Sequence, residues 1–171
     1  VNKNIPVAMA VALAVSVSLN AASLTDVVEL KPPTSAASVR EFHGHSDPWA
    51  VLGARIGDHA VKRLGLEKKM GAFVLVEYDS KLPMTGIADG LQLATGATYG
   101  RQSIVLVQST RLRVRVVSTE TKKGLVFRLT ESARNKFYQW KSEGYGYEKQ
   151  ASLVVNMTDG DLFMTEDYED R

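Results

Sequence analysis

A chain of 171 residues, 44% hydrophobic and 23% charged, has the length and composition of one globular domain, which excludes disordered and collagen-like classes. Its 21 basic and 19 acidic residues leave a formal charge of +2, too small a field to single out nucleic acid or an anionic membrane, so no nucleic-acid partner is expected. With 0 cysteines, disulfides, thiolate metal sites, iron–sulfur clusters and thiol-based cofactor chemistry are excluded in any compartment.

In chain order, residues 1–23 carry Lys3, a nearly continuous apolar run from Ile5 to Leu19, and the small residues Ala21, Ala22 and Ser23. That is the layout of a secretory signal peptide, and the run is short of the roughly 20 apolar residues a membrane span needs. The expectation is an extracytoplasmic protein, secreted or periplasmic, with no stable membrane span when mature. A buried helix or a mis-set start of translation is the alternative, and with it a cytoplasmic location. Residues 24–38, with Lys31-Pro32-Pro33-Thr34-Ser35, read as an extended linker. The domain is therefore expected over residues 39–171.

Asp47 and Pro48 open a helix, since Asp is a favoured N-cap and proline suits the first helical position. Trp49, Leu52, Ile56, Ala60 and Leu64 then recur at spacings of three and four, and Gly65 supplies a left-handed stop. Gly53 and Gly57 beside that stripe predict a closely approaching neighbour. Ala72 to Tyr78 is too densely apolar for a half-exposed strand and reads as a central one, and Ser103 to Val107 looks similar. Between them lie a loop, Lys81 to Gly86, and a short helix from Ile87 to about Ala94. Arg111 to Val117 alternates with period two, and Gly124 to Leu129 follows a polar turn, a β-hairpin pattern. Thr130 caps a helix carrying Ala133, Phe137 and Trp140 on one face and ending at Gly144. Ala151 to Met157 reads as a last strand, and Glu166 to Asp170 as a solvated acidic tail. The order of elements predicts an α+β fold with a single mixed or antiparallel sheet packed with helices.

Phe42-His43-Gly44-His45-Ser46-Asp47-Pro48-Trp49 places two of three histidines just before a helix. A His-x-His pair can set two imidazole nitrogens on one cation, and Asp47 can add a carboxylate oxygen. The same residues also suit a capped turn with hydrogen-bonded histidines. His59, at the edge of the apolar stripe, reads as a packing residue. Asp89 to Arg101 is rich in glycine and hydroxyls and closes on a cation, so its backbone N–H groups can cradle an anion; equally, Gly96 and Gly100 can simply make tight turns. No Walker A loop, dinucleotide fingerprint or nucleophile elbow occurs, so no nucleotide cofactor is expected. Arg111, Arg113 and Arg115 share one strand face, solvated or anion-binding. Tyr145 and Tyr147, beside Gly144 and Gly146, can stack on a ligand or pack their own loop.

Taken together, the Phe42 to Trp49 segment followed by Leu52-Gly53-Ala54-Arg55-Ile56-Gly57 resembles the Phe-His-Gly-His-x-Cys-Pro-Gly…Leu-Gly-x-Arg-x-Gly opening of the formylmethanofuran dehydrogenase E-subunit family. Asp89-Gly90-Leu91-Gln92 with Thr95-Gly96-Ala97-Thr98-Tyr99-Gly100-Arg101 is similar to that family's second motif, and Asp161-Leu162-Phe163 to the close of its core domain. The resemblance covers residues 39 to 166, without the zinc-ribbon tail of some members. It implies a homodimeric α+β domain holding a divalent metal, usually zinc, through the histidine loop and cysteines of both motifs. Here Asp47, Gly86 and Ala97 stand where those cysteines fall, leaving His43, His45 and Asp47 as a harder donor set for zinc or another divalent ion.

The expected function is a metal- or small-ligand-binding domain, not a complete catalyst by itself, with metal at His43, His45 and Asp47 and ligand at Asp89, Gln92, Thr95, Thr98 and Arg101. Two alternatives accompany it. One is a metal-assisted enzyme using the same loop with Asp89 as general base. The other is a metal-free dimeric scaffold with Gly53 and Gly57 at its interface.

Overall fold

The computed structural model describes residues 34–66, 70–80 and 84–169, so the signal-like run 1–23 and the first part of the linker lie outside the described residues. Ser35 caps the first helix, α1 (Ala36–His43), by accepting from the Ser38 N–H, and Gly44 ends it at φ 90°. Residues 36–38 are thus helical rather than extended. Thr34 donates from its N–H and its hydroxyl to the Asp58 carboxylate at 2.6 and 3.0 Å, which fastens the start of α1 to the next helix. That helix, α2 (Pro48–Leu64), begins at the Asp47 N-cap and ends at Gly65 with φ 60°, as its end signals predict.

Among the described residues a single five-stranded sheet follows, built from β1 (Ala72–Asp79), β2 (Ile104–Ser109), β3 (Arg113–Ser118), β4 (Lys123–Leu129) and β5 (Phe163–Glu169), in the order β2-β1-β3-β4-β5. Only β1 and β2 run parallel, joined through a 3₁₀ turn (Met84–Gly86) and α3 (Ile87–Thr95); the other neighbours are antiparallel. The chain is therefore α+β with a mixed sheet. β1 is interior, as its density of apolar residues predicts, but β2 is at the edge of the described sheet, and Val107 is 44% exposed. Apolar density alone does not separate an edge strand from a central one when one face is covered.

Val74 and Val76 of β1, Val114 and Val116 of β3, and Leu125 and Phe127 of β4 point to one side and are buried with Leu52, Ile56 and Leu91 from α2 and α3. The two helices touch through glycines. A Cβ on Gly53 would overlap the Ile87 carbonyl oxygen, one on Gly57 would strike Ala94, and one on Gly90 would overlap the Ala50 carbonyl oxygen. Gly53 and Gly57 therefore serve packing within the chain, and an interface with a second copy at these glycines is ruled out.

The C-terminal third departs most from expectation. α4 (Glu131–Ser142) starts at Thr130 as its cap signal predicts. Residues 151–157, expected as a strand, are mostly the end of α5 (Tyr147–Asn156), which buries Gln150, Ala151 and Val154, positions one and four apart on a helical face. Its N-cap is Gly146 with no side-chain cap bond, so the usual start signal is missing. After the short α6 (Asp159–Leu162) the acidic stretch forms the edge strand β5. Its Glu166, Asp167 and Glu169 remain exposed, and charge on an edge strand opposes pairing with other chains. No helix among the described residues is long and apolar enough to cross a membrane.

Candidate functional site

The histidine loop is a short connection pinned at both ends by helix termini. α1 stops at His43 because Gly44 adopts the left-handed conformation, and α2 starts because Asp47 caps it. Asp47 is 5% exposed. Its Oδ1 accepts the Ala50 N–H at 2.8 Å, while Oδ2 stands 4.0 Å from His45 Nε2. The two carboxylate oxygens thus have different surroundings: one is committed to the helix and the other faces the histidines. The imidazole rings of His43 and His45 lie 4.7 Å apart, and His43, His45 and Asp47 each offer one ligand atom, all within 4.8 Å of one another.

His43 Nδ1 lies 2.7 Å from Asp89 Oδ2. A carboxylate accepts, so Nδ1 carries the proton and Nε2 keeps its lone pair for a ligand. Asp89 Oδ1 in turn accepts from Gln92 Nε2 at 3.2 Å, and Gln92 Oε1 accepts the Tyr99 N–H at 3.4 Å. A chain of hydrogen bonds therefore runs from the glycine-rich turn through α3 to the histidine loop. Gly86 closes the site from below: a Cβ there would sit 2.8 Å from Asp47 Oδ1 and 3.3 Å from His43 Cε1. With neutral imidazoles, Asp47 and Asp89 leave two negative charges around the cluster, which suits a divalent cation.

Asp89 and Gln92 thus join the histidine loop, whereas the other three residues expected to bind ligand make hydrogen bonds within their own segment. Thr95 is 1% exposed and its hydroxyl donates to the Leu91 carbonyl at 2.7 Å. Thr98 Oγ1 accepts the Arg101 N–H at 3.4 Å, and the Arg101 guanidinium donates to the Gly96 carbonyl; both residues stabilise the turn into β2. Arg55, in the α2 motif, donates to Asp159 and to the carbonyls of Val154, Val155 and Met157, tying α2 to the junction between α5 and α6. His59 joins that junction through Asp159 at 3.1 Å and packs edge-on against Phe127 and Phe163.

Beside the cluster opens a cavity of about 230 Å³ lined by Trp49, Met84, Phe137, Tyr145, Tyr147 and Gln150, with Arg134 and Lys141 also on its wall. Tyr147 joins it to the site, its ring 5.5 Å from that of His45. In the sequence only Tyr145 and Tyr147 hint at it, since α4 and α5 meet here through tertiary packing.

The model of the FmdE family, described as "Molybdenum formylmethanofuran dehydrogenase operon", matches residues 42–163. A curated relative from Archaeoglobus fulgidus, named "Probable S-adenosyl-L-methionine-binding protein", is 32% identical over 105 residues, covering 57% of this chain and 27% of that protein. The chain thus spans about a quarter of that relative's length. The crystal structure of a tungsten formylmethanofuran dehydrogenase FmdE-like protein from Syntrophus aciditrophicus superposes with a TM-score of 0.55 at 21% identity, covering 78% of this chain and 69% of that one. At that identity the likeness shows the fold. The family match spans well over half of the chain, and the chain belongs to the FmdE family.

Proposed function

We propose that this FmdE-family domain binds a divalent metal ion through His43 Nε2, a His45 ring nitrogen and Asp47 Oδ2, with Asp89 orienting His43. The observation that carries the reading is the convergence of His43, His45 and Asp47, each offering one ligand atom within 4.8 Å of the others, together with the Asp89 carboxylate 2.7 Å from His43 Nδ1. That pairing is the usual support of a metal-bound imidazole, because it fixes both tautomer and ring orientation. Two imidazoles and one carboxylate suit zinc and also harder divalent ions such as manganese, and water can complete the coordination. Asp89 already accepts from His43 and Gln92, which favours a positioning role over that of a general base. The reading is a binding domain, exported if residues 1–23 act as a signal and homodimeric through the outer face of the sheet. Metal content after dialysis, followed by re-titration with zinc and with manganese, tests the metal. Stoichiometric uptake by the wild type, lost in both His43→Ala and His45→Ala, supports it; no uptake by the folded wild type overturns it.

A further inference from the structure

We infer that the cavity between α2, α4 and α5 is a binding site for a small aromatic or heteroaromatic anion of one ring or two fused rings. The inference stands on the cavity and does not require the metal. Its volume of about 230 Å³ exceeds the roughly 150 Å³ of an apolar cavity that takes up benzene and falls short of the roughly 300–1,000 Å³ of sites for larger ligands. The walls are aromatic: Trp49 and Phe137 pack with centroids 4.4 Å apart, and Tyr145 and Tyr147 follow on the loop into α5. Lys149 lies over the Tyr145 ring at 3.3 Å. Flat apolar walls of this kind favour a planar ring, which stacks with little loss of freedom.

Two further observations specify the polarity. Arg134 and Lys141, seven residues apart on α4, both line the cavity and make no ion pair among the described residues. Two cations without a carboxylate partner favour a ligand with an anionic group, and Arg134 can hold a carboxylate with two parallel N–H bonds. Gln150 is 8% exposed, and its Nε2 donates to the Tyr145 carbonyl at 2.5 Å. Its Oε1 makes no hydrogen bond among the described residues, and on a residue lining the cavity it is open to accept from a ligand's N–H or O–H. An aromatic ring bearing a carboxylate and a ring N–H answers all three features.

Indole-3-acetate has that chemistry and serves as probe, with neutral indole and the non-aromatic cyclohexylacetate as controls. Titration calorimetry is done on the full chain after chelation of metal, which keeps the result separate from the metal reading. Saturable one-to-one binding of indole-3-acetate is expected, about tenfold or more tighter than either control. In the double variant Arg134→Gln, Lys141→Gln, indole-3-acetate should lose about tenfold in affinity while indole is unchanged. Both cations are exposed, so this variant keeps the fold, as an unshifted thermal transition will show. Tyr147→Ala should weaken indole and indole-3-acetate alike. Absence of saturable indole-3-acetate binding, binding indifferent to the double variant, or cyclohexylacetate binding equally well overturns the inference.

Discussion

Asp47 shows how one side chain can serve the fold and a site together. As an N-cap it uses Oδ1, and as a metal ligand it would use Oδ2, so the two roles can be separated by substitution. Asp47→Asn keeps the acceptor and should stay within about 0.5 kcal/mol of wild-type stability, whereas Asp47→Ala should cost about 0.5–2 kcal/mol. Asp47→Asn should nevertheless lose metal, because the carboxylate is gone, and Asp47→Cys should bind zinc more tightly at the expense of the cap. Denaturant melts and competition with a chromophoric chelator check both; metal affinity in Asp47→Asn equal to wild type would reduce Asp47 to a cap. Asp89→Asn removes only the orienting carboxylate and should lower metal affinity by about 10–100-fold. The sequence made His43, His45 and Asp47 legible because their spacing is local. It could not show which nitrogen of His43 is free, since that depends on Asp89, 46 residues further along.

At the scale of elements, local end signals were enough for α2 and α4, where Asp47, Gly65 and Thr130 mark the boundaries. They failed for α5, whose glycine cap is silent, and for β5, whose polar sequence is dictated by an edge position. The joint between these late elements and the first motif is Arg55. Its guanidinium holds Asp159 and the carbonyls that end α5, so the motif arginine fixes architecture rather than touching the histidine cluster. Arg55→Leu should cost about 1.5–3 kcal/mol, since it removes hydrogen bonds to a charged group and leaves carbonyls without donors. Hydrogen exchange should then rise first over residues 147–162. Gly90→Ala is the harsher test of the helix pair: a Cβ there overlaps the Ala50 carbonyl oxygen, and α2 and α3 must separate. A loss above about 3 kcal/mol is expected.

For the whole molecule, the sheet has two unlike faces. α2 and α3 cover one; the other presents Phe73 (38% exposed), Leu75 and Val107 with Arg113, Arg115 and Tyr168, while Val117 on the same side is buried. On this outer face the Arg113 guanidinium bonds Glu77, which holds the Glu77 carboxyl below its usual 4.5 against the opposing effect of burial. A depressed carboxyl stabilises the fold above its unfolded pKa and loses that contribution as pH falls through the lower, folded value. Glu77→Gln should therefore cost about 1 kcal/mol at pH 7 and progressively less as pH falls below the ordinary carboxylate range, with melting curves across the acid range as the check. Arg115 stacks on Tyr168 at 4.7 Å and its Nη1 donates to the Tyr168 hydroxyl at 3.4 Å, while its Nε is buried without a hydrogen-bond partner among the described residues. An exposed apolar patch on one face of a sheet is what a covering partner would bury. Five strands about 4.8 Å apart and about 7 residues long at roughly 3.3 Å each give a flat area near 550 Å². Corrugated by side chains, that is of the order of the roughly 800 Å² each partner contributes to a standard interface. A second copy meeting this face would bury Phe73 and Val107. Light scattering after gel filtration should then give twice the chain mass for the wild type and the chain mass for Phe73→Glu. Strand pairing should survive the substitution, because Phe73 points out of the helix-packed side and its backbone stays in register with Val117. A monomeric wild type at about 100 μM, well above the dissociation constant of a standard-size interface, would remove the dimer from the proposal and leave the outer face for another partner.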